Sequence, residues 1–279
     1  MFRRIAVLGT GLIGGSFALA VRRHFPDCRV VGWDRPEVLR QTLSLGVIHE
    51  AAAELGAVVR EADLVYVALP VGVTLELLPE IAKHAGPQAL VTDACSTKAA
   101  VCSAAEALFR SGARFLGGHP LAGKEAGGIE TAEAELFRGA RYALMAGEND
   151  ADRRVQDFVA LVREIGARPV TMDAASHDRA MALLSHAPQL VAVALASEVR
   201  AGRIPLELAG SGLRDTLRLA GSPYDIWGEI CRTNAENIGA ALDGVIAAVE
   251  RIRGRLGSGA LKDDFDAANQ LYKALREWH

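Results

Sequence analysis

Short apolar runs alternate with segments of helical periodicity through the first half of the chain. Residues 4–8 form an apolar run of strand length, and 17–21 continue as a helix. Residues 29–34 read as a second strand and 36–45 as a helix. The pattern repeats with a strand over 63–69, a helix over 73–84, a strand over 89–93 and a helix over 99–109. A short strand over 114–118 then leads into His119. Repeated strand–helix units predict a mostly parallel sheet covered on both faces. Ligands in such sheets sit beyond the carboxyl ends of the strands. Asp34, Pro70, Ser96 and His119 all fall at or just after strand ends, which predicts one shared crevice. Strand signals thin out after about Met172. Residues 190–199 are apolar on nearly all sides, as in a helix buried in a core or an interface. Ile238, Leu242, Val245, Ile246, Val249, Ile252 and Leu256 recur at helical spacing, which predicts an amphipathic helix packed on its neighbours. A turn-rich break over 254–259 precedes a final helix over about 261–278. The expected domains are 1–152 and a helical one over 153–279.

The first strand ends in Gly9–Thr10–Gly11–Leu12–Ile13–Gly14, a G-x-G-x-x-G turn opening a helix. Gly9 permits the tight turn, Gly11 lets backbone approach a pyrophosphate, and Gly14 lets the helix pack on its strand. The backbone around Leu12 and Ile13 presents helix N-terminal N–H groups to the anion. Asp34 ends the second strand 20 residues after Gly14, where a carboxylate accepts the adenosine ribose 2′-hydroxyl and repels a 2′-phosphate. The expected fold is a Rossmann-type doubly wound α/β domain followed by an all-helical one. The expected cofactor is NAD, with NADP as the alternative because Arg35 follows Asp34. The 279 residues, half of them apolar, with net charge −3, describe a soluble globular chain without a broad nucleic-acid surface. No single apolar run approaches membrane-spanning length, and no secretory signal is evident. Cys28, Cys95, Cys102 and Cys231 form no C-x-x-C pair and no zinc spacing. Reduced thiols in the cytoplasm, and no metal, are the simplest expectation.

Polar residues must supply the substrate chemistry. His119 lies in Gly117–Gly118–His119–Pro120–Leu121–Ala122–Gly123, a segment of constrained backbone and little bulk. That suits a general base near a nicotinamide, although an ordinary loop histidine would read the same way. GTGLIGGS, DACSTK at 93–98, GGHPLAG at 117–123, LLSHAPQ at 183–189 and RDTLRLA at 214–220 occur in order. Together they resemble the prephenate/arogenate (cyclohexadienyl) dehydrogenases of tyrosine biosynthesis, from residue 4 to about 240. The resemblance implies oxidative decarboxylation of prephenate or arogenate. It makes His119 the histidine that hydrogen-bonds the C4 hydroxyl and Ser96 the serine that orients it. It makes Arg218 the arginine that binds a substrate carboxylate, and it implies an interdomain cleft. His186 stands as a ligand contact or a structural histidine. Gln189 replaces a histidine common in the family, and a neutral amide there would tolerate the amino group of arogenate. Arg214 and Asp215 stand as cleft wall or ion pair, with Gly212 beside them. Trp227 stands as a pocket aromatic or simple core. Pro70, Val71 and Thr74 resemble the loop near the nicotinamide. Cys95 replaces the usual glycine, and its plain reading is a small buried filler.

The resemblance implies a homodimer through the helical domain, and the little sequence after residue 260 and before residue 4 leads to the expectation of a monofunctional chain without a regulatory or mutase segment. Two other readings compete. A β-hydroxy-acid or imine dehydrogenase of the same architecture would use a lysine in the helical domain, and no lysine lies between Lys124 and Lys262. A non-catalytic dinucleotide sensor would have no use for Ser96, His119 and Arg218 together.

Overall fold

The computed structural model describes residues 1–124, 126–147 and 150–277. The chain divides into two compact units. One comprises Met1–Ala180 with Ser222–Asn234, the other Met181–Gly221 with Ala235–His279.

The first unit is built on β1 (Arg4–Leu8), α1 (Leu12–His24), β2 (Arg29–Trp33), α2 (Pro36–Ser44), β3 (Glu50–Ala51), α3 (Leu55–Arg60), β4 (Leu64–Val67), α4 (Val71–His84), β5 (Leu90–Asp93), α5 (Ala99–Leu108) and β6 (Arg114–Leu116). The six strands form a parallel sheet in the order β3-β2-β1-β4-β5-β6. The order reverses at β1, so the crevice at a doubly wound sheet's switch point opens above the glycine turn. Both faces of the central strands are covered: Ile5, Val7, Leu64 and Tyr66 enter one cluster, Ala6, Leu8, Val65 and Val67 another. That explains continuous rather than alternating apolar runs. Phe17 of α1 stacks on Tyr66 of β4 with centroids 3.7 Å apart.

The run over 114–118 is not one strand. β6 ends the large sheet at Leu116, and β7 (Gly118–Pro120) starts a smaller one. There β7 pairs antiparallel with β8 (Arg141–Leu144), setting His119 opposite Ala143. After α6 (Arg153–Glu164), β9 (Arg168–Thr171) pairs parallel with β8. Gly118 permits this transfer, because a Cβ there would lie 2.6 Å from the Asp93 carbonyl oxygen. Val155, Phe158, Leu161 and Val162 of α6 join the main core. The boundary between the units therefore falls between Ala180 and Met181, at the end of α7 (Ala174–Met181), rather than at 152.

The second unit is helical: a π-helical turn (Ala182–His186), α8 (Ala187–Ala201), α9 (Ser211–Leu217), α11 (Ala235–Gly254) and α12 (Lys262–Glu277). The intervening α10 (Tyr224–Thr233) belongs to the first unit. Trp278 of the expected final helix lies outside the described residues. Two expectations change here. Ile238 is buried on α11, but Ile246, Val249 and Ile252 of the same stripe, and Leu256 just beyond the helix, are exposed. Val193 and Leu195 of α8 are also exposed. These apolar faces are uncovered within one chain, so core burial does not account for them. In addition, Ala174–Ala201 runs as 28 helical residues, apolar and long enough to span a membrane. The segment is longer than the 190–199 run because Pro188 sits in the first turn of α8, where proline is tolerated. It nevertheless carries His177, Asp178, His186 and Gln189, all buried within protein.

Candidate active site

The turn after β1 is shaped by two close approaches. Gly9 has φ +86°, and a Cβ there would meet the Ala68 carbonyl oxygen at 2.4 Å. A Cβ on Gly14 would come within 1.8 Å of the Gly9 carbonyl oxygen. Gly11 differs: a Cβ there would meet nothing within 4 Å. Its backbone faces open space at the start of α1, whose N-cap has no side-chain partner and whose first turn has no acid. The first N–H groups of a helix lack intrahelical acceptors, and the dipole there favours an anion. Leu12 and Ile13 are half-buried beside this opening, and Gly14 is buried against the strand. Asp34 is anchored at the end of β2. One oxygen accepts the Thr10 N–H (2.6 Å) and hydroxyl (3.2 Å), and the other accepts the Arg35 N–H (2.7 Å). An ionised carboxylate retains further acceptor capacity, so the pair of features fits a pyrophosphate and a ribose hydroxyl. Arg35 is exposed and lies 3.8 Å from Glu37.

The loop after β4 has Pro70 exposed and Val71 and Thr74 buried. Thr74 is wholly enclosed and supports the loop from behind. Its hydroxyl donates to the Leu69 carbonyl (3.3 Å) and lies 3.3 Å from Cys95 Sγ. Cys95 fills this space, and its burial pushes the thiol well above its usual range. It is thus an inert filler rather than a nucleophile.

Ser96 follows β5 in a loop held at both ends. The Cys95 N–H donates to Asp93 (3.0 Å), and the Thr97 hydroxyl meets that of Thr233 at 2.8 Å. Asp93 also accepts the Gly118 N–H at 3.1 Å, and Lys98 Nζ bonds both Asp93 and the Gly118 carbonyl (2.7 Å). Asp93 and Lys98 are completely buried. Burial alone would pull the Lys98 ammonium down, but Asp93 beside it holds it above its ordinary value. This pair ties the Ser96 loop to the strand that carries His119. His119 is half-buried, and its Nδ1 lies 2.9 Å from His177 Nε2. His177 Nδ1 in turn lies 2.8 Å from Asp178 Oδ1.

Sequence reasoning did not assign Asp93, Lys98, His177 or Asp178 to the site. The signal for the first two was a carboxylate and an amine within DACSTK, at an otherwise apolar strand end. His177 and Asp178 lie side by side in α7 and are completely buried.

His186, Gln189, Gly212, Arg214, Asp215 and Arg218 belong to the second unit. His186 (1% exposed) closes the π-helical turn, and Gln189 (3%) donates from Nε2 to the Leu219 carbonyl at 2.8 Å. That bond fixes the turn immediately after Arg218. Gly212, Arg214 and Asp215 are exposed on α9, and Arg218 is exposed at its end. Trp227 is half-buried on α10. Among the described residues, no three His, Cys, Asp or Glu side chains are grouped to hold a metal.

Residues 17–171 match the family model described as prephenate dehydrogenase, nucleotide-binding domain, and 173–276 match prephenate dehydrogenase, dimerization domain. The chain is 35% identical over 256 residues to a prephenate dehydrogenase of Bacillus subtilis, covering 89% of this chain and 69% of that protein. It is 30% identical over 290 residues to a cyclohexadienyl dehydrogenase of Zymomonas mobilis, covering 100% and 98%. A crystal structure of prephenate dehydrogenase from A. aeolicus in complex with hydroxyphenyl propionate and NAD+ superposes with TM-score 0.90 at 26% identity, covering 100% and 99%. The glycine turn, the anchored Asp34 and the histidine motif thus stand in an oxidoreductase with a nucleotide-binding domain, and the chain belongs to the prephenate dehydrogenase family of tyrosine biosynthesis.

Proposed function

We propose that the protein catalyses the NAD-dependent oxidative decarboxylation of prephenate to 4-hydroxyphenylpyruvate, or of arogenate to tyrosine. The observation that carries this reading is His119, held by its own hydrogen-bonded network on the strand next to the Ser96 loop. A bound NAD supplies the hydride acceptor. Gly9, Gly11, Leu12, Ile13 and Gly14 hold its pyrophosphate, Asp34 its adenosine ribose, with Arg35 beside it. Pro70 and Val71 flank the nicotinamide end, and Thr74 braces them. Asp34 favours NAD over NADP, because a carboxylate repels a 2′-phosphate.

His119 accepts the C4 hydroxyl proton as C4 is oxidised, and Ser96 orients that hydroxyl. The ring carboxylate leaves as CO2, its bonding electrons complete an aromatic ring, and His119 returns the proton to the phenolate oxygen. Aromatisation makes the step downhill, so the residues chiefly position the substrate and move one proton. Arg218 binds a substrate carboxylate, which its planar fork can hold through two parallel bonds. His186, Gln189, Gly212, Arg214, Asp215 and Trp227 are the further candidates for substrate contact.

The active form is a homodimer. Exposed Ile246, Val249, Leu256, Phe265, Leu271 and Tyr272 leave an apolar surface on the second unit that a second copy covers. The four free thiols favour a cytoplasmic location. Incubation with NAD or NADP and with prephenate or arogenate, in all four pairings, tests the reading through absorbance of the reduced nicotinamide. NAD should outperform NADP with the preferred substrate, and silence in all four pairings would refute the function.

A further inference from the structure

We propose that His177 and Asp178 are positioning residues that fix the tautomer of His119 and stabilise its protonated form. The inference rests on the function proposed above. Its basis is a continuous hydrogen-bonded line ending at the amino end of a helix. Asp178 Oδ1 accepts the Lys98 N–H (2.7 Å) and Oδ2 the Ala99 N–H (2.8 Å), so the carboxylate caps α5. Its backbone carbonyl also accepts from Asn234 Nδ2 at 2.8 Å. A carboxylate at the positive end of a helix dipole stays ionised. Burial alone would raise the Asp178 carboxyl, but the bonds from His177, Ala99 and Lys98 hold it below the usual range.

An ionised carboxylate can only accept. The 2.8 Å contact therefore puts the proton of His177 on Nδ1. The Nε2 of a neutral His177 then carries a lone pair, so across 2.9 Å the Nδ1 of His119 is the donor. In a neutral His119 this leaves the lone pair on Nε2, the nitrogen that takes the substrate proton. Once that proton arrives, the imidazolium still donates from Nδ1 to His177, whose ring is polarised by Asp178.

Lys98 and Cys102 of α5 and Asp93 of β5 are charged or titratable groups beside the Asp178 end of the line. Lys98 is neutralised by Asp93. Burial pushes the Cys102 thiol up to about 12, so it carries no charge at neutral pH. The Asp178 carboxylate behind the two rings favours the cationic form of His119. The arrangement has the logic of an acid–histidine couple in a hydrolase, with a second imidazole inserted between carboxylate and base.

Two variants and one spectroscopic measurement test this. Asp178→Asn removes the charge behind the two rings and leaves a single amide oxygen for three donors, the Lys98 N–H, the Ala99 N–H and His177 Nδ1–H. His177→Gln keeps the α5 cap intact and offers His119 an acceptor that cannot relay charge. In each variant kcat should fall about 10²-fold, with the NAD dissociation constant within about twofold of wild type. The acid limb of the kcat–pH profile should move down by about one pH unit, a tenfold change in proton affinity. In 15N-histidine NMR of the wild-type protein, His119 Nδ1 and His177 Nε2 should be scalar-coupled across the hydrogen bond, with His119 Nε2 unprotonated. A wild-type kcat and acid limb in His177→Gln would overturn the proposal, as would a protonated His119 Nε2 in the wild-type spectrum. A wild-type protein inert in all four pairings would instead refute the proposed function, while the spectrum still decides the tautomer.

Discussion

The glycine turn permits a prediction in which folding and binding separate. Replace Gly14 by alanine, and the new Cβ stands 1.8 Å from the Gly9 carbonyl oxygen, 3.0 Å from its carbon and 3.1 Å from Ala68 Cβ. A carbon and a carbonyl oxygen approach to about 3.3 Å at best, so α1 must retreat by about 1.5 Å. It cannot do so freely, because Phe17 and Ala18 one turn later are fully buried. Overpacking of this kind costs about 1–3 kcal/mol, and the retreat also misplaces the N–H groups that face the anion. Gly14→Ala should therefore lower the melting temperature by several degrees and weaken NAD binding together. Gly11→Ala meets no atom within 4 Å. Its melting temperature should stay close to wild type, with at most about 1 kcal/mol lost at the N-cap. Its methyl group, however, occupies the space through which the pyrophosphate approaches. NAD affinity should fall at least about tenfold, or 1.4 kcal/mol. Thermal unfolding without cofactor and calorimetric titration with NAD read the two effects separately. Wild-type NAD affinity in Gly11→Ala would refute the placement of the pyrophosphate on this turn.

Other outcomes follow from single contacts. Phe17→Ala removes a fully buried ring stacked on Tyr66 and should cost about 3–5 kcal/mol in denaturant unfolding. Asp152 caps α6 through the Arg154 N–H, and the Arg154 side chain lowers its carboxyl to about 2. Its folded value lies below its unfolded one, so its contribution is complete above about pH 4 and is lost as pH falls through 2. Asp152→Ala should accordingly lower stability by about 1 kcal/mol at neutral pH, and the difference from wild type should shrink below about pH 4 and disappear as pH falls through 2. Val249→Glu on the exposed face of α11 should shift sedimentation toward monomer without unfolding the first unit; an unchanged dimer would place the interface elsewhere.

The parts legible in the sequence are those whose constraint is local. Gly9 and Gly14 are dictated by clashes within a few residues of chain or with the adjacent strand. Asp34 sits at a fixed distance because one helix and one strand separate it from the turn. The central strands announced themselves as apolar runs because both their faces are covered. The lesser sheet did not, because Arg141–Leu144 and Arg168–Thr171 are short and flanked by charge. His177 was illegible for another reason: its partner His119 is 58 residues away, and only the pairing of β7 with β8 and the packing of α7 bring the two rings together. The apolar stripes of α8 and α11 were read correctly as apolar, but periodicity cannot distinguish a face covered by the same chain from one covered by another.

The claim that most needs testing is that oxidation is coupled to loss of the ring carboxylate at His119. Captured CO2 and reduced nicotinamide, measured in the same reaction with prephenate or arogenate, decide it directly. The wild-type protein should give equal molar amounts, and both should fall about 10²-fold in rate in His119→Asn with NAD binding retained. Reduced nicotinamide without matching CO2, or an undiminished rate in His119→Asn, would contradict it.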